Sequence, residues 1–431
     1  MTPRVPARDE TPRAPVLADL GTATRTMLAR IARDHGTPCY VYFVDEVRER
    51  IDRLGDVFGG RFSVSYAVKA NPNSGLLARL AEKVVSFDVS SIGEAERCLR
   101  IGVPAGRLTF SGPAKREREL ERAVEIGVGE LVCESEWELA TLGRLAARAS
   151  TRMGCLVRIN PARTPREFGV TMSGKPSQFG IDEENVAEVL RRWEWPHLDF
   201  TGFHIYAGTN SLSAGAVAGN FDIFVQLFER FAEECPLAPR TLVFGSGFGI
   251  PYTPVDEPLA LEKVAALVNP RLDRMRLAHP LLAGSACVLE LGRWLVGPAG
   301  YLLTSVIGEK RSRGAEMRLC DAGFNNHLAA YGMLGTVIRR NWPIWKVSGT
   351  GAEPTAEYEI VGPLCTSIDV LATRIRLPEL HRGDVIAIGS SGAYGLTASP
   401  TRFISHPVPR EYLVVGCGDD AEVVDVTEFS A

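Results

Sequence analysis

Eight short, β-branched, apolar runs alternate with amphipathic helical patterns over the first two-thirds of the chain, and this alternation constrains the fold more than any other feature. The runs are FSVSYAVK (62–69), VSFDVSS (85–91), LTFSGP (108–113), ELVCES (130–135), CLVRINP (155–161), FTGFHIYAG (200–208), TLVFGSG (241–247) and ACVLELGR (286–293). Helical segments such as SGLLARLAEK, IGEAERCLRIG and SEWELATLGRLAARA lie between them. The first four runs start at evenly spaced positions, 62, 85, 108 and 130, as βα units require, and insertions such as 162–180 stretch the later ones. Eight βα units predict a (β/α)8 TIM barrel, an α/β fold whose chemistry sits where strands end and βα loops begin.

The texture changes after Gly300. YLLTSVIGEK, MRLCDAGF, AEYEIVGP, DVLATRIRLP and DVIAIGSSGAYG are strand-like pieces with turn residues between them and little helix, which predicts a second, all-β domain with its boundary near 295–302. A chain of 431 residues exceeds the size at which single cores stop growing, in keeping with two domains. The expected division is a flexible arm and lead-in over 1–39, partly packed on the β-domain, a barrel over 40–299 and a β-sandwich or barrel over 300–431. The early strand PCYVYFV (38–44) belongs either to the β-domain or to the approach to the barrel.

Charge and cysteine usage exclude several function classes. With 48 basic against 52 acidic residues and no long block of one sign, the chain has no nucleic-acid footprint. Nine cysteines occur singly without a CxxC pair, and the histidines show no HxxxH spacing, so neither a disulfide framework nor a metal site is expected. The opening MTPRVPARDETPRAP lacks the apolar core of a signal peptide, and no run of about 18 apolar residues occurs. A soluble, cytoplasmic protein acting on a small molecule or with a protein partner is the expectation.

By alternation, Phe62, Val64, Tyr66 and Val68 fall on one face of the first run, and Ser63, Ser65, Ala67 and Lys69 on the other. A small, polar face ending in a lysine lines a space rather than filling one. Lys69 is either a solvated cation or a Schiff-base lysine held among groups that help it lose its proton. Gly245, Ser246, Gly247 and Gly249 after the seventh run form either a plain turn or a cradle of N–H groups for an anion. In ELGR, Glu290 and Arg293 form a surface ion pair, or else a carboxylate for a pyridine nitrogen and a guanidinium for a phosphate. Cys365 in GPLCTSID reads as a buried inert thiol or as a reactive one. Tyr394 in SSGAYG is a packed turn aromatic or an anion-binding phenol.

Taken in order, YAVKANPN, FDVSSIGE, FSGPAK, SQFGID, FGSGFG, LELGR, CDAGFN, GPLCTSID and GAYG resemble the fold-type III pyridoxal-phosphate decarboxylases, the family of diaminopimelate, ornithine and arginine decarboxylases, from about Tyr40 to about Val415. The resemblance implies an alanine-racemase-type barrel with pyridoxal 5′-phosphate joined to Lys69. It implies Glu290 at the pyridine nitrogen, and Gly245, Ser246, Gly247, Arg293 and Tyr394 on the phosphate, with Thr209 in the cofactor-binding set. It further implies that Cys365 comes from the second subunit of a homodimer with shared sites and protonates Cα, with Asp88 and Glu94 in supporting places near the lysine. A glutamate rather than an arginine at the ring nitrogen favours decarboxylation over racemisation.

Three departures from the family pattern bear on the substrate. Where the family's sixth strand has a ring-stacking histidine, GFHIYAGTN places Tyr206, with His204 two residues earlier on the same face as the alternative. EPGR has become ELGR. The residue after Cys365 is Thr366, where ornithine-type enzymes have aspartate and diaminopimelate enzymes glutamate, and an uncharged hydroxyl does not offset the burial of an ammonium. In FNNHLAAYG the only residue able to carry charge near neutral pH is His327, so Thr366, His327 and Asp88 are the candidate substrate contacts. The expectation is decarboxylation of an L-amino acid or aminoacyl derivative lacking a free distal amine, either free or on a carrier protein, as in antibiotic and siderophore pathways. The alternatives are a diaminopimelate or ornithine/lysine-type decarboxylase, a racemase or epimerase, and a non-catalytic binding homologue.

Overall fold

The computed structural model describes residues 20–428 except 166–169, 172, 236, 334–339 and 350–352. All eight expected runs are strands: Ser63–Ala67, Ser86–Val89, Leu108–Phe110, Glu130–Cys133, Met153–Asn160, Leu198–Ile205, Thr241–Gly245 and Ala286–Leu291. Each pairs in parallel with the next, and the eighth pairs with the first, which closes the barrel. Helices between consecutive strands carry their apolar stripes inward; in Ala214–Glu234, for example, Phe221, Phe224, Phe228 and Phe231 are buried.

The barrel interior explains where the chemistry lies. Val132, Leu156, Val243 and Val288, from the fourth, fifth, seventh and eighth strands, form their own small apolar cluster. Two residues further along the same strands, the same face presents Glu134, Arg158, Gly245 and Glu290. His204 of the sixth strand is in register with Val243 on one side and Arg158 on the other. An aliphatic plug therefore gives way to a polar layer at the C-terminal ends of the strands, the end at which barrels of this kind place their sites.

A second, mixed sheet contains Gly300–Ser312, Ala315–Cys320, Ile344–Lys346, Ala356–Val361, Val370–Leu377, Val385–Ile388, Arg410–Val415 and Glu422–Asp425. The early strand, Cys39–Phe43, lies in this sheet, antiparallel to Gly300–Ser312 and parallel to Arg410–Val415. Of the two placements the sequence left open, the β-domain is the one observed. The lead-in is not all arm: Thr22–His35 is a helix whose Met27, Leu28, Ile31 and Ala32 pack with Val41, Leu303, Tyr412 and Val414 of that sheet. The segment MTPRVPARDETPRAP falls outside the described residues.

Candidate active site

The first barrel strand stops at Ala67, and Lys69 follows in a single 3-10 turn, Val68–Ala70, rather than on the strand itself. The Asn-Pro-Asn that comes next is a docking piece. Asn71 donates from Nδ2 to the Gly392 carbonyl at 3.0 Å, the Tyr394 N–H donates to the Ala70 carbonyl at 2.8 Å, and Tyr66 OH donates to the Asn71 carbonyl at 3.0 Å. The C-terminal tail straps the same turn. Asn73 Nδ2 donates to the Val426 carbonyl at 3.0 Å, the Ser74 N–H donates to Glu428 at 2.7 Å, and Arg97 pairs with the other Glu428 oxygen. The turn that carries the lysine is thus clamped between barrel and β-domain.

Around Lys69 lies a partly open cavity at the C-terminal ends of the barrel strands. Eight of the residues singled out from sequence line it: Lys69, Tyr206, Thr209, Ser246, Gly247, Glu290, Arg293 and Tyr394. They arrive from the first, sixth, seventh and eighth strands and from the β-domain loop at 389–395, so convergence in space joins what the chain separates.

Charge in the site is arranged in pairs. Lys69 Nζ lies 2.9 Å from Asp88 Oδ2 and 3.8 Å from Glu290 Oε1. Burial alone lowers an ammonium's proton affinity, but these carboxylates outweigh it and hold the Lys69 pKa well above the ordinary range. Burial likewise pushes Glu290 up, yet Lys69, a hydrogen bond from His204 and the Arg158 charge hold it at about 2. Asp88, buried beside Glu290, is raised.

The opposite end of the cavity suits an anion. Arg293 donates from Nη1 to Tyr252 OH at 2.5 Å and lies over the Tyr394 ring, 4.7 Å from its centroid, while its buried Nε has no partner among the described residues. Gly247, at φ +64°, holds the left-handed conformation that turns the glycine loop, and Tyr394 holds it too at φ +53°. Gly245 is required by packing: a Cβ there would come within 2.3 Å of the Tyr206 ring and 2.8 Å of the Ile205 carbonyl. A lysine, a carboxylate fixed in its charged form, and an arginine with an orphaned donor beside a glycine turn fit a cofactor that carries an aldehyde, a basic ring nitrogen and a phosphate.

Several expected residues stand elsewhere. His204 lines no part of the cavity; it is buried one layer below Tyr206 and shares its Nε2 with Glu290 Oε2 at 2.8 Å, so it is not the residue placed to stack on a ring. His327 is fully buried between Tyr40 and Trp342 in the β-domain, where burial lowers its pKa to about 3; a neutral imidazole enclosed there does not meet substrate, which corrects that assignment. Glu94 is a helix cap, accepting from the Ser90 N–H at 2.7 Å while Ser91 Oγ accepts from its own N–H. Cys365 and Thr366 do not line this chain's cavity, and Cys365 is exposed. Tyr252, which positions Arg293, was missed; the only sequence signal was its nearness to the glycine loop. Among the described residues, no cluster suited to a metal ion occurs.

Fold and site define a class: a barrel protein whose cavity fits an aldehyde- and phosphate-bearing cofactor. Residues 44–297 match the family model for the pyridoxal binding domain of pyridoxal-dependent decarboxylases. The chain is 30% identical over 383 residues to the L-glutamyl-[BtrI acyl-carrier protein] decarboxylase of Niallia circulans, covering 88% of each chain. It is 32% identical over 395 residues to the diaminopimelate decarboxylase of Methanothermobacter thermautotrophicus, covering 89% of this chain and 88% of the other. Among solved structures, the diaminopimelate decarboxylase of Helicobacter pylori complexed with L-lysine superposes with a TM-score of 0.80 at 27% identity, covering 94% of this chain and 96% of that one. The chain belongs to the pyridoxal-dependent decarboxylase family. It is a carboxy-lyase that uses pyridoxal 5′-phosphate.

Proposed function

We propose that the enzyme decarboxylates an L-amino acid or aminoacyl group without a free distal amine, presented on a carrier protein, in a biosynthetic pathway. One observation carries this reading: Glu290 is the sole carboxylate among the described residues that line the cavity, and with Oε2 on His204 and Oε1 left for the cofactor's ring nitrogen it has nothing to offer a substrate ammonium. Asp88 is buried and does not line the cavity. A distal ammonium entering the site would meet no available anion on that lining, and Thr366 beside Cys365 supplies none. The similarity to a carrier-protein glutamyl decarboxylase supports the same substrate class.

Pyridoxal phosphate supplies a sink for the electron pair left at Cα when CO2 departs. In this reading Lys69 would hold the cofactor, while Arg293, Ser246, Gly247 and Tyr394 would bind its phosphate with Thr209 in the same cavity lining. Glu290 would keep a proton on the ring nitrogen, and Tyr206 would lie against the ring. The Cys365 thiol, from a second copy of the chain, would return a proton to Cα. An exposed Cys365 off its own chain's cavity, flanked by Ile368 at 52% exposure, suits a residue offered to a partner subunit. Nine free cysteines suit a reducing, cytoplasmic setting, and no helix among the described residues is long and apolar enough to cross a membrane.

A CO2-release panel tests the substrate: free glutamate, ornithine, lysine, arginine and meso-diaminopimelate beside glutamyl and other aminoacyl groups loaded on a carrier protein. Release from carrier-bound substrates above any free diamine is expected. Rapid release from meso-diaminopimelate or ornithine would replace this reading with that of the diaminopimelate or ornithine-type enzymes.

A further inference from the structure

We propose that His204 is a positioning residue that selects which oxygen of Glu290 faces the cofactor and keeps that carboxylate in register with the ring nitrogen. This rests on Glu290 facing that nitrogen, as in the function proposed above.

The geometry comes from three adjacent strands. Glu290 on the eighth strand is in register with Gly245 on the seventh, and Val243 of the seventh is in register with His204 on the sixth. The seventh strand thus separates the two backbones, and the side chains meet across it: His204 Nε2 lies 2.8 Å from Glu290 Oε2, which leaves Oε1 turned toward the cavity, 3.8 Å from Lys69 Nζ. Both partners are buried, at 1% and 3% exposure, so no water competes for Oε2.

Hydrogen-bond accounting assigns the tautomer. Nδ1 of His204 is buried without a partner among the described residues. With the proton on Nε2, the ring donates to Glu290 and leaves only a lone pair unpaired, whereas a proton on Nδ1 would strand a buried donor and set two acceptors against each other. His204 is therefore a donor to the carboxylate. Without it, nothing at Oε2 would fix the rotation of the Glu290 carboxylate against the ring nitrogen.

A cofactor labelled with ¹⁵N at the ring nitrogen, bound to the full-length enzyme, tests this by NMR without any substrate. The wild type is expected to show a protonated ring nitrogen. His204→Phe, which keeps the volume but has no donor, should lose most of that protonated signal while still binding cofactor, and His204→Gln, which retains a donor at similar reach, should restore it. On the carrier-bound substrate, kcat should fall on the order of tenfold or more in the Phe variant with KM within about twofold, as when outer partners of a functional ligand are lost. Should His204→Phe fail to hold cofactor, His204→Asn, polar but too short to reach Glu290, is read by the same criterion. A ring nitrogen as protonated in the Phe or Asn variant as in wild type, with Glu290→Gln abolishing the signal, would overturn the role of His204 alone. A signal that survives Glu290→Gln would overturn the placement of Glu290 as well.

Discussion

Gly245→Ala puts the site's packing under direct test. The added methyl would lie 2.3 Å from Cδ2 of Tyr206, more than 1 Å inside ordinary contact at 3.4–4 Å, with Cγ of the same ring at 2.7 Å and the Ile205 carbonyl at 2.8 Å. The barrel backbone on either side is held by strand pairing, so the Tyr206 ring is the part able to yield, and it yields into the cavity that it lines. Overpacking of this kind costs about 1–3 kcal/mol. At about 1.4 kcal/mol per tenfold, that weakens cofactor binding roughly 5- to 150-fold. The assay is a cofactor titration of the apoenzyme, read by absorbance, for wild type, Gly245→Ala, Tyr206→Ala and the double variant. If the methyl acts through the ring, the cycle shows coupling above about 0.5 kcal/mol, with the double variant better than the sum of the two single losses. Additive losses, or a Gly245→Ala enzyme that binds as wild type does, would refute the argument.

Three further perturbations follow from the same contacts. Because Glu290 is held at about 2, below the ordinary 4.5, its charge adds stability that is fully present above about pH 4.5 and is lost as the pH falls toward 2; Glu290→Gln should therefore be less stable by roughly 1–3 kcal/mol in urea titrations at pH 7, with the gap closing in acid. Glu428→Ala removes the carboxylate that accepts from Ser74 N–H and pairs with Arg97, which should lower apoenzyme stability by about 1 kcal/mol and speed exchange of the amides at 70–76. Asp369 accepts from the Leu364 N–H at 2.8 Å and the Phe324 N–H at 2.9 Å, tying down the loop that carries Cys365; Asp369→Ala should leave two buried donors unpaired, cost about 2–5 kcal/mol, and raise the alkylation rate of Cys365 relative to Cys417.

Legibility in the sequence followed the range of the interaction. The eight barrel strands were readable because a parallel strand covered on both faces must be a continuous β-branched run, and each run shows that locally. Cys39–Phe43 offered no such clue to its sheet, since its partners begin at Gly300 and Arg410, and pairing over that distance leaves no local mark. Period-two reading put His204 and Tyr206 on one face correctly, yet depth along the strand separates them: Tyr206 reaches the cavity, and His204 sits a layer below against Glu290. His327 showed its ionisable ring in the sequence but not its enclosure by Tyr40 and Trp342, which removes it from the chemistry. Thr366 and Cys365 were visible as a motif, whereas the role proposed for them rests on a second chain, which one sequence does not display.

The most direct measurement is the site of covalent attachment. Borohydride reduction of the cofactor-loaded enzyme, followed by proteolysis and mass spectrometry, should place the reduced pyridoxyl phosphate on the peptide containing Lys69 and leave Lys69→Ala unlabelled. Label on another lysine, such as the buried Lys115, or equal labelling of the Lys69→Ala variant would contradict the account.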